Sequence, residues 1–259
     1  MFDTRKIDIN RLNSMTKYPS ILTYHELGER GVLNDVVLTP FPTNSVLYGT
    51  EKVDGTNARL IFTPDKHVIV GSREDLLWES RDLIGNPAMG IMEYFRPIVP
   101  RLMTQPFNPN DSLMVIYGEL YGKNIGAAAK HYTNSGKIGF RVFDVMVQDN
   151  YEEVLSWERE KISAWRENGG QNFLDRDAAS VVAHNAVFDM VPHQFEMNSN
   201  ELPTGLADTY EFLKRYKETK ASLEYPQVTN GRSEGVVIRT KDRKTIAKLR
   251  FEDYERKRK

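Results

Sequence analysis

Between Val46 and Arg73 three strand-forming runs are separated by two turn signals, and this spacing constrains the fold more than any other stretch. Val46-Leu47-Tyr48 and Leu60-Ile61-Phe62 flank Asp54-Gly55, a dipeptide that favours tight reversal of the chain. Pro64-Asp65 marks the second turn and His67-Val68-Ile69-Val70 the third run, so strand, turn, strand, turn, strand is predicted. One lysine stands at the mouth of the first turn, in Glu51-Lys52-Val53-Asp54-Gly55-Thr56-Asn57. An amine attacks only in its neutral form, so a nucleophilic lysine needs a fixed position, a nearby cation and an electrophile held in line. A strand end supplies the first of these. Asp54 shares the face of Lys52 if the extended conformation continues, where it can hold a metal's water or the lysine itself.

Further short motifs follow in order. Gly71-Ser72-Arg73 comes first, then Tyr117-Gly118-Glu119-Leu120-Tyr121-Gly122 and Phe140-Arg141-Val142-Phe143-Asp144-Val145. After a long interval come Ser233-Glu234-Gly235-Val236-Val237-Ile238-Arg239 and Ile246-Ala247-Lys248-Leu249-Arg250-Phe251. The series resembles the covalent nucleotidyltransferases, the superfamily of ATP-dependent polynucleotide ligases and mRNA capping enzymes. Within it the chain looks most like the RNA ligases, because Asn57 stands where DNA ligases and capping enzymes usually have Arg or Met. The resemblance runs from about residue 45 to residue 251.

That resemblance implies an α+β fold: an ATP-grasp-like nucleotidyltransferase domain of two antiparallel sheets flanked by helices, with the nucleotide between them. Strands dominating the motif regions and helices the intervals lead to the same class. It implies that Lys52 attacks the α-phosphate of ATP, that Asp54 and Glu234 face Mg2+ or Mn2+, and that Lys248 and Arg250 point at phosphates. Glu51, Asn57, Arg73, Glu119 and Phe143 are the other expected nucleotide contacts, Glu119 through ribose hydroxyls and Phe143 by stacking on the purine. Phe140, three residues from Phe143, falls on the opposite strand face and is expected in the core. The implied activity is ATP-dependent joining of a 5′-phosphate to a 3′-hydroxyl on RNA, with nicked duplex, RNA/DNA hybrid, single strand and tRNA all open as the form of the substrate. A DNA-nick ligase and a noncatalytic end-binding protein are the rivals. With eight residues after Phe251, no C-terminal OB domain is expected.

Composition narrows the chemistry. The 259 residues contain no cysteine, which removes disulfides, thiolate zinc sites and cysteine nucleophiles together. The five histidines lack metal-ligand spacing, and Gly118, Gly122 and Lys123 miss the phosphate-loop pattern. No run of 18 apolar residues occurs and no h-region follows Met1, so an intracellular monomer without a membrane partner is expected, a phage or viral source included. Net charge is −1, yet residues 232–259 carry eleven Lys or Arg against five Asp or Glu, a basic end suited to phosphates.

Residues 1–45 carry no motif and are expected to pack on the main domain, 46–259, with a short helix near Tyr24-His25-Glu26-Leu27. A helix is predicted over 88–103, broken at Pro97 and Pro100. A helical insertion around 151–225 should contain helices over 152–166 and 177–186, and a third at Tyr210, Leu213 and Tyr216, whose aromatic stripe is read as core. The polar loop Lys123 to Lys137, with Asn124, Lys130, His131 and Tyr132, is a candidate contact for an RNA end.

Overall fold

The computed structural model describes residues 6–79, 82–83, 90–104, 111–228 and 230–256. The first half of the chain runs α1 (Ile9–Thr16), β1 (His25–Leu27), β2 (Leu33–Val37), β3 (Val46–Lys52), β4 (Thr56–Phe62), β5 (Val68–Ser72), β6 (Leu76–Glu79), β7 (Asp82–Leu83), α2 (Ile91–Phe95) and α3 (Val99–Leu102). The second half runs β8 (Leu113–Gly122), β9 (Ile138–Gln148), α4 (Tyr151–Ser156), α5 (Arg159–Glu167), α6 (Arg176–Asn185), β10 (Asp189–Met190), β11 (His193–Asn198), α7 (Leu206–Lys214), β12 (Gly235–Thr240), β13 (Ile246–Arg250) and α8 (Phe251–Glu255).

Period-two burial explains the larger sheet, ordered β10-β9-β8-β4-β5-β6-β7. Ala58, Leu60 and Phe62 of β4 point to one core with α2, α3 and α6, while Ile61 points through the sheet to a second core with Leu12 and Met15 of α1 and Val154 and Ile162 of α4 and α5. A strand buried on both faces reads as a continuous apolar run, as β4 does. The smaller sheet, β11-β3-β12-β13, buries Leu47, Val236, Ile238, Ala247 and Leu249 against Phe212 and Leu213 of α7 and Phe251 of α8. Its other face is free to build a cleft.

The mixed α+β class holds, with two differences in the sheets. β10 pairs parallel to β9, and β1 and β2 form a third, two-stranded sheet, so the expected pair of purely antiparallel sheets is corrected. The helix expected at residues 24–27 is also wrong, since Tyr24 N–H donates to Lys248 O at 3.1 Å and Lys248 N–H to Leu22 O at 2.9 Å. Pairing beside β13 satisfies those backbone groups and overrides a weak local preference. The actual N-terminal helix is α1, where Asp8 accepts from Asn10 N–H and Arg11 N–H at the N-cap.

Strands 46–52, 56–62 and 68–72 fall where the turn signals put them. The 88–103 helix divides into α2 and α3, with Pro100 tolerated in the first turn of α3, and its residues 88–89 lie outside the described set. The 152–166 helix divides at the extended residues Trp157 and Glu158. The interval 151–225 is not purely helical, because β10 and β11 leave it to join one sheet each. Among the described residues no helix is long and apolar enough to cross a membrane.

Candidate active site

Strand alternation sends one row of the small sheet into the cleft. Thr50 and Lys52 of β3, Val237 and Arg239 of β12, and Ile246, Lys248 and Arg250 of β13 share the face opposite the apolar core, and all line one cavity of about 440 Å³. Asn57, Glu119, Phe143 and Asp144 supply the opposing wall from the large sheet, with Asn57 and Glu119 directly paired across β4 and β8. Glu51, Asp54, Arg73 and Glu234 complete the set, so every site residue read from the sequence borders this cavity.

Lys52 ends β3, and its Nζ is hydrogen-bonded and ion-paired to Glu234 Oε2, both side chains keeping partial exposure. Glu234 N–H donates to Lys52 O at 3.0 Å, so the two are registered through the backbone as well. Asp54 lies in the turn rather than in a continuing strand, where its N–H donates to the Tyr132 hydroxyl at 2.8 Å. Gly55 permits that turn to press on β8: a Cβ there would stand 2.2 Å from Leu120 O. Glu51 faces away from Lys52, accepting from the Thr219 hydroxyl and from Lys220 N–H at 2.7 Å. Arg73 sits at the rim, 69% exposed, beside Glu74. Arg250 is clamped by both oxygens of buried Asp253 at 2.8 and 2.7 Å.

Burial pushes the Glu119 carboxyl up to about 8; Lys52 opposes that shift, while Glu234 and Asp54 add to it. Burial likewise lowers the Lys248 ammonium, with Arg250 and Lys52 adding repulsion. Three acidic side chains thus share one field, although among the described residues no three His or acidic groups form a ready-made metal cage. Hard carboxylate oxygens on Asp54 and Glu234, beside Lys52 in the same cavity, fit a divalent cation that takes its remaining ligands from phosphates and water.

The Glu119 shift predicts a pH signature. A carboxyl raised to about 8 in the folded state, against an ordinary value near 4.5, holds a proton that the unfolded chain releases across that window. Its contribution to stability is therefore full below about 4.5 and is lost as pH rises toward 8. Glu119→Gln, neutral at every pH, should melt higher than wild type by a margin that widens between about pH 5 and 8, on the order of a few kcal/mol. Thermal melts of the two proteins at stepped pH check this, and parallel curves would dismiss it.

Sequence reasoning missed several parts of the site. Tyr18, Pro19, Ser20 and Ile21 line the cavity from a segment without a motif. That segment is fastened from within: buried Arg59 bonds Asn13, Arg166 donates to Ser14 O at 2.5 Å, Tyr117 to Thr16 O at 2.9 Å, and Gln171 to Met15 O and Lys17 O at 2.9 Å each. The carbonyls that end α1 are all capped this way. Asp8 before the Ile9, Leu12, Met15 spacing was the available signal.

Asp144 was the second omission. A register shift in β8–β9, where Tyr117 faces Asp144 and Gly118 faces Val142, leaves Phe143 as the extra residue. The bulge turns Phe143 and Asp144 both to the cavity. Asp144, almost wholly buried, pairs with Arg239 of β12 and with Arg243 at 2.7 Å, and accepts from the Tyr18 hydroxyl. Burial would raise its carboxyl, yet Arg243 and Arg239 hold it below the ordinary range. Phe140 instead packs on Phe95 and Phe188 in the core.

The basic end reads differently in three dimensions. Among the described residues from 232 to 256, every cation except Lys248 is paired with an acid, including Arg232 with Glu255, Lys241 with Asp177, Lys244 with Asp242 and Arg256 with Glu252. Lys257, Arg258 and Lys259 lie outside the described residues.

A family model described as RNA ligase matches residues 46–250. Solved structures of a Naegleria gruberi RNA ligase share the fold. A lysine-to-alanine mutant with ATP and Mn gives a TM-score of 0.52 at 17% identity, over 91% of this chain and 62% of that one. A glutamate-to-alanine mutant with AMP and Mn gives 0.53 at 17%, over 92% and 62%, and the form with PPi gives 0.51 at 18%, over 91% and 62%. This chain therefore spans about 62% of the length of those ligase chains. A search of curated proteins gives no match.

Proposed function

The chain belongs to the RNA ligase family, and from that premise we propose that it is an ATP-dependent RNA ligase working through a lysyl-adenylate on Lys52. The observation that carries the reading is the position of Lys52: at a strand end on the cavity floor, hydrogen-bonded to Glu234, with Lys248 on the same sheet face. The neutral amine of Lys52 attacks the α-phosphorus of ATP, the bond to the β-phosphate breaks, and pyrophosphate leaves. Lys248 and Arg250 hold phosphate oxygens, Arg250 kept in place by Asp253. The adenylate then passes to a 5′-phosphate, and a 3′-hydroxyl displaces AMP.

Asp54 and Glu234 are the residues that would hold Mg2+ or Mn2+, whose charge offsets the triphosphate when bound, and Glu119 would meet the ribose hydroxyls. The Naegleria structures with ATP and Mn support this choice of nucleotide and metal. Asn57 adds a buried side-chain oxygen, Oδ1, with no hydrogen-bond partner, an acceptor suited to the nucleotide. The domain would be a nucleotidyltransferase core whose two larger sheets enclose the nucleotide.

Labelled ATP with magnesium or manganese, followed by denaturing electrophoresis, should leave label on the protein. The label should then chase onto 5′-phosphorylated RNA and yield sealed product. Sealing of DNA nicks in preference to RNA would overturn the substrate assignment, and absence of protein-bound label would overturn the mechanism.

Phe143 and Phe140 should separate in this assay. Phe143→Ala removes a cavity ring and is expected to weaken ATP use by about 1–3 kcal/mol of stacking. Phe140→Ala empties core space between Phe95 and Phe188 and should cost about 3–5 kcal/mol of stability with ATP affinity kept. Equal ATP affinity for Phe143→Ala and wild type would reject the stacking role.

A further inference from the structure

Beside the Lys52 turn, two loops meet and display an aromatic ring outward. The loop 219–228 is pinned at both ends, with Ala221 fully buried and Val228 nearly so. Within it the Ser222 hydroxyl accepts from Glu224 N–H at 3.2 Å and Val228 N–H at 3.1 Å. Its neighbour, the loop 123–137, wraps the Glu224 carboxylate, which accepts from the Thr133 hydroxyl at 2.6 Å, from Asn134 N–H and Ser135 N–H at 3.0 Å each, and from Lys137 Nζ at 3.3 Å. Leu223 N–H donates to Tyr132 O at 2.8 Å, joining the loops through their backbones. Between these anchors Tyr225 is 100% exposed.

The backbone that carries this ring is already held on both sides, so a ligand stacking on Tyr225 pays no entropy for ordering the loop beneath it. The neighbouring loop 123–137 carries three lysines and no acid. Lys123 packs its chain beside Gly136, and Lys130 is exposed on the same loop; neither has an acid partner among the described residues. Glu224, the acid at the centre, is enclosed by donors and countered by Lys137. Tyr132, proposed from the sequence as an RNA contact, is fully buried and serves as a strut: its hydroxyl accepts from Asp54 N–H. On the other side, Thr219 and Lys220 N–H bond Glu51. Both residues flanking the Lys52–Val53 step are thus attached to this pair of loops.

We propose that the loops 123–137 and 219–228 form a landing platform for single-stranded RNA, Tyr225 stacking a nucleobase while Lys123 and Lys130 hold the adjoining phosphates. An exposed π-face with flanking lysines suits a splayed strand, whereas a base inside a duplex offers no free face. The proposal rests on the ligase reading for where the strand's end goes, toward Lys52.

The test uses the full chain and a fluorescein-labelled, 5′-phosphorylated RNA of about 12 nucleotides, read by anisotropy. Tyr225→Ala should weaken binding about 5- to 150-fold and Tyr225→Phe by no more than about twofold. Lys123→Ala with Lys130→Ala should lower the log–log salt slope by about 1.4. Labelled-ATP adenylylation and melting temperature should match wild type in all three. Unchanged affinity and slope, or an equal loss on duplex RNA of the same sequence, would overturn the platform and leave the ligase reading intact. Absence of adenylylation in wild type would overturn the ligase reading, while the binding comparison would still decide the platform.

Discussion

Lys52→Ala is expected to carry no covalent AMP under conditions that fully label the wild type, yet to seal RNA already bearing a 5′-adenylate. Only the first step uses the amine as nucleophile, and no other residue in the cavity duplicates it: Lys248 lies two strands away across β12, with Arg250 and Lys52 both repelling its charge. The loss should be of the whole signal rather than a fraction, since a missing nucleophile has no substitute of lower efficiency. Substitution also strips Glu234 of its ion-pair partner, but that carboxylate keeps contact with the cavity, so the fold should survive. Acid-labile AMP on the mutant would refute the assignment of Lys52. A folded mutant unable to seal adenylated ends would show that the lysine has duties beyond the first step.

Asp144→Asn should produce the largest loss of stability of any single change at the site. The carboxylate is 1% exposed and balances two guanidinium groups that are themselves 6% and 10% exposed, Arg239 from the small sheet and Arg243 from the turn after it. Arg243 also lies 3.6 Å from the centre of the Phe173 ring, leaving it little room to reach water. Removing one partner from a buried network strands the remaining charges, at a cost of about 3–5 kcal/mol. For a chain of this size that corresponds to a melting temperature lower by roughly 10 °C. A fall of only a degree or two in a calorimetric scan would mean that water reaches the arginines and that the network is weak.

Legibility of the sequence tracked the range of the interactions involved. β3, β4 and β5 were readable because their turns and their apolar alternation are written within a few residues of each other. The cavity floor was readable for the same reason, since Lys248 and Arg250 alternate with buried Ala247 and Leu249. Residues 24–27 were misread because Tyr24 bonds Lys248, more than 200 positions away, and His25–Leu27 pair with β2. Asp144 stood in plain view within a motif, yet its use depends on a bulge in β8–β9 and on two arginines almost 100 residues downstream. The C-terminal cations looked available only because Asp177, Asp242, Asp253 and Glu255 could not be assigned to them from spacing alone. Tyr132 and Tyr225 are indistinguishable as letters, and only the packed chain makes one a strut and the other a displayed surface.

The capped end of α1 has a mechanical consequence. At Lys17 the chain is bolted to the large sheet through Gln171, and at Thr23–Tyr24 it is laced to β13 of the small one. The six residues leading from Lys17 to Thr23 can reach at most roughly 20 Å even when drawn straight. The cleft therefore has a tether across one side, and its two walls cannot part like the halves of a split shell. Two shorter links join the same walls, residues 53–55 between β3 and β4 and residues 191–192 between β10 and β11, so any widening of the cleft must swing about three fixed crossings at once.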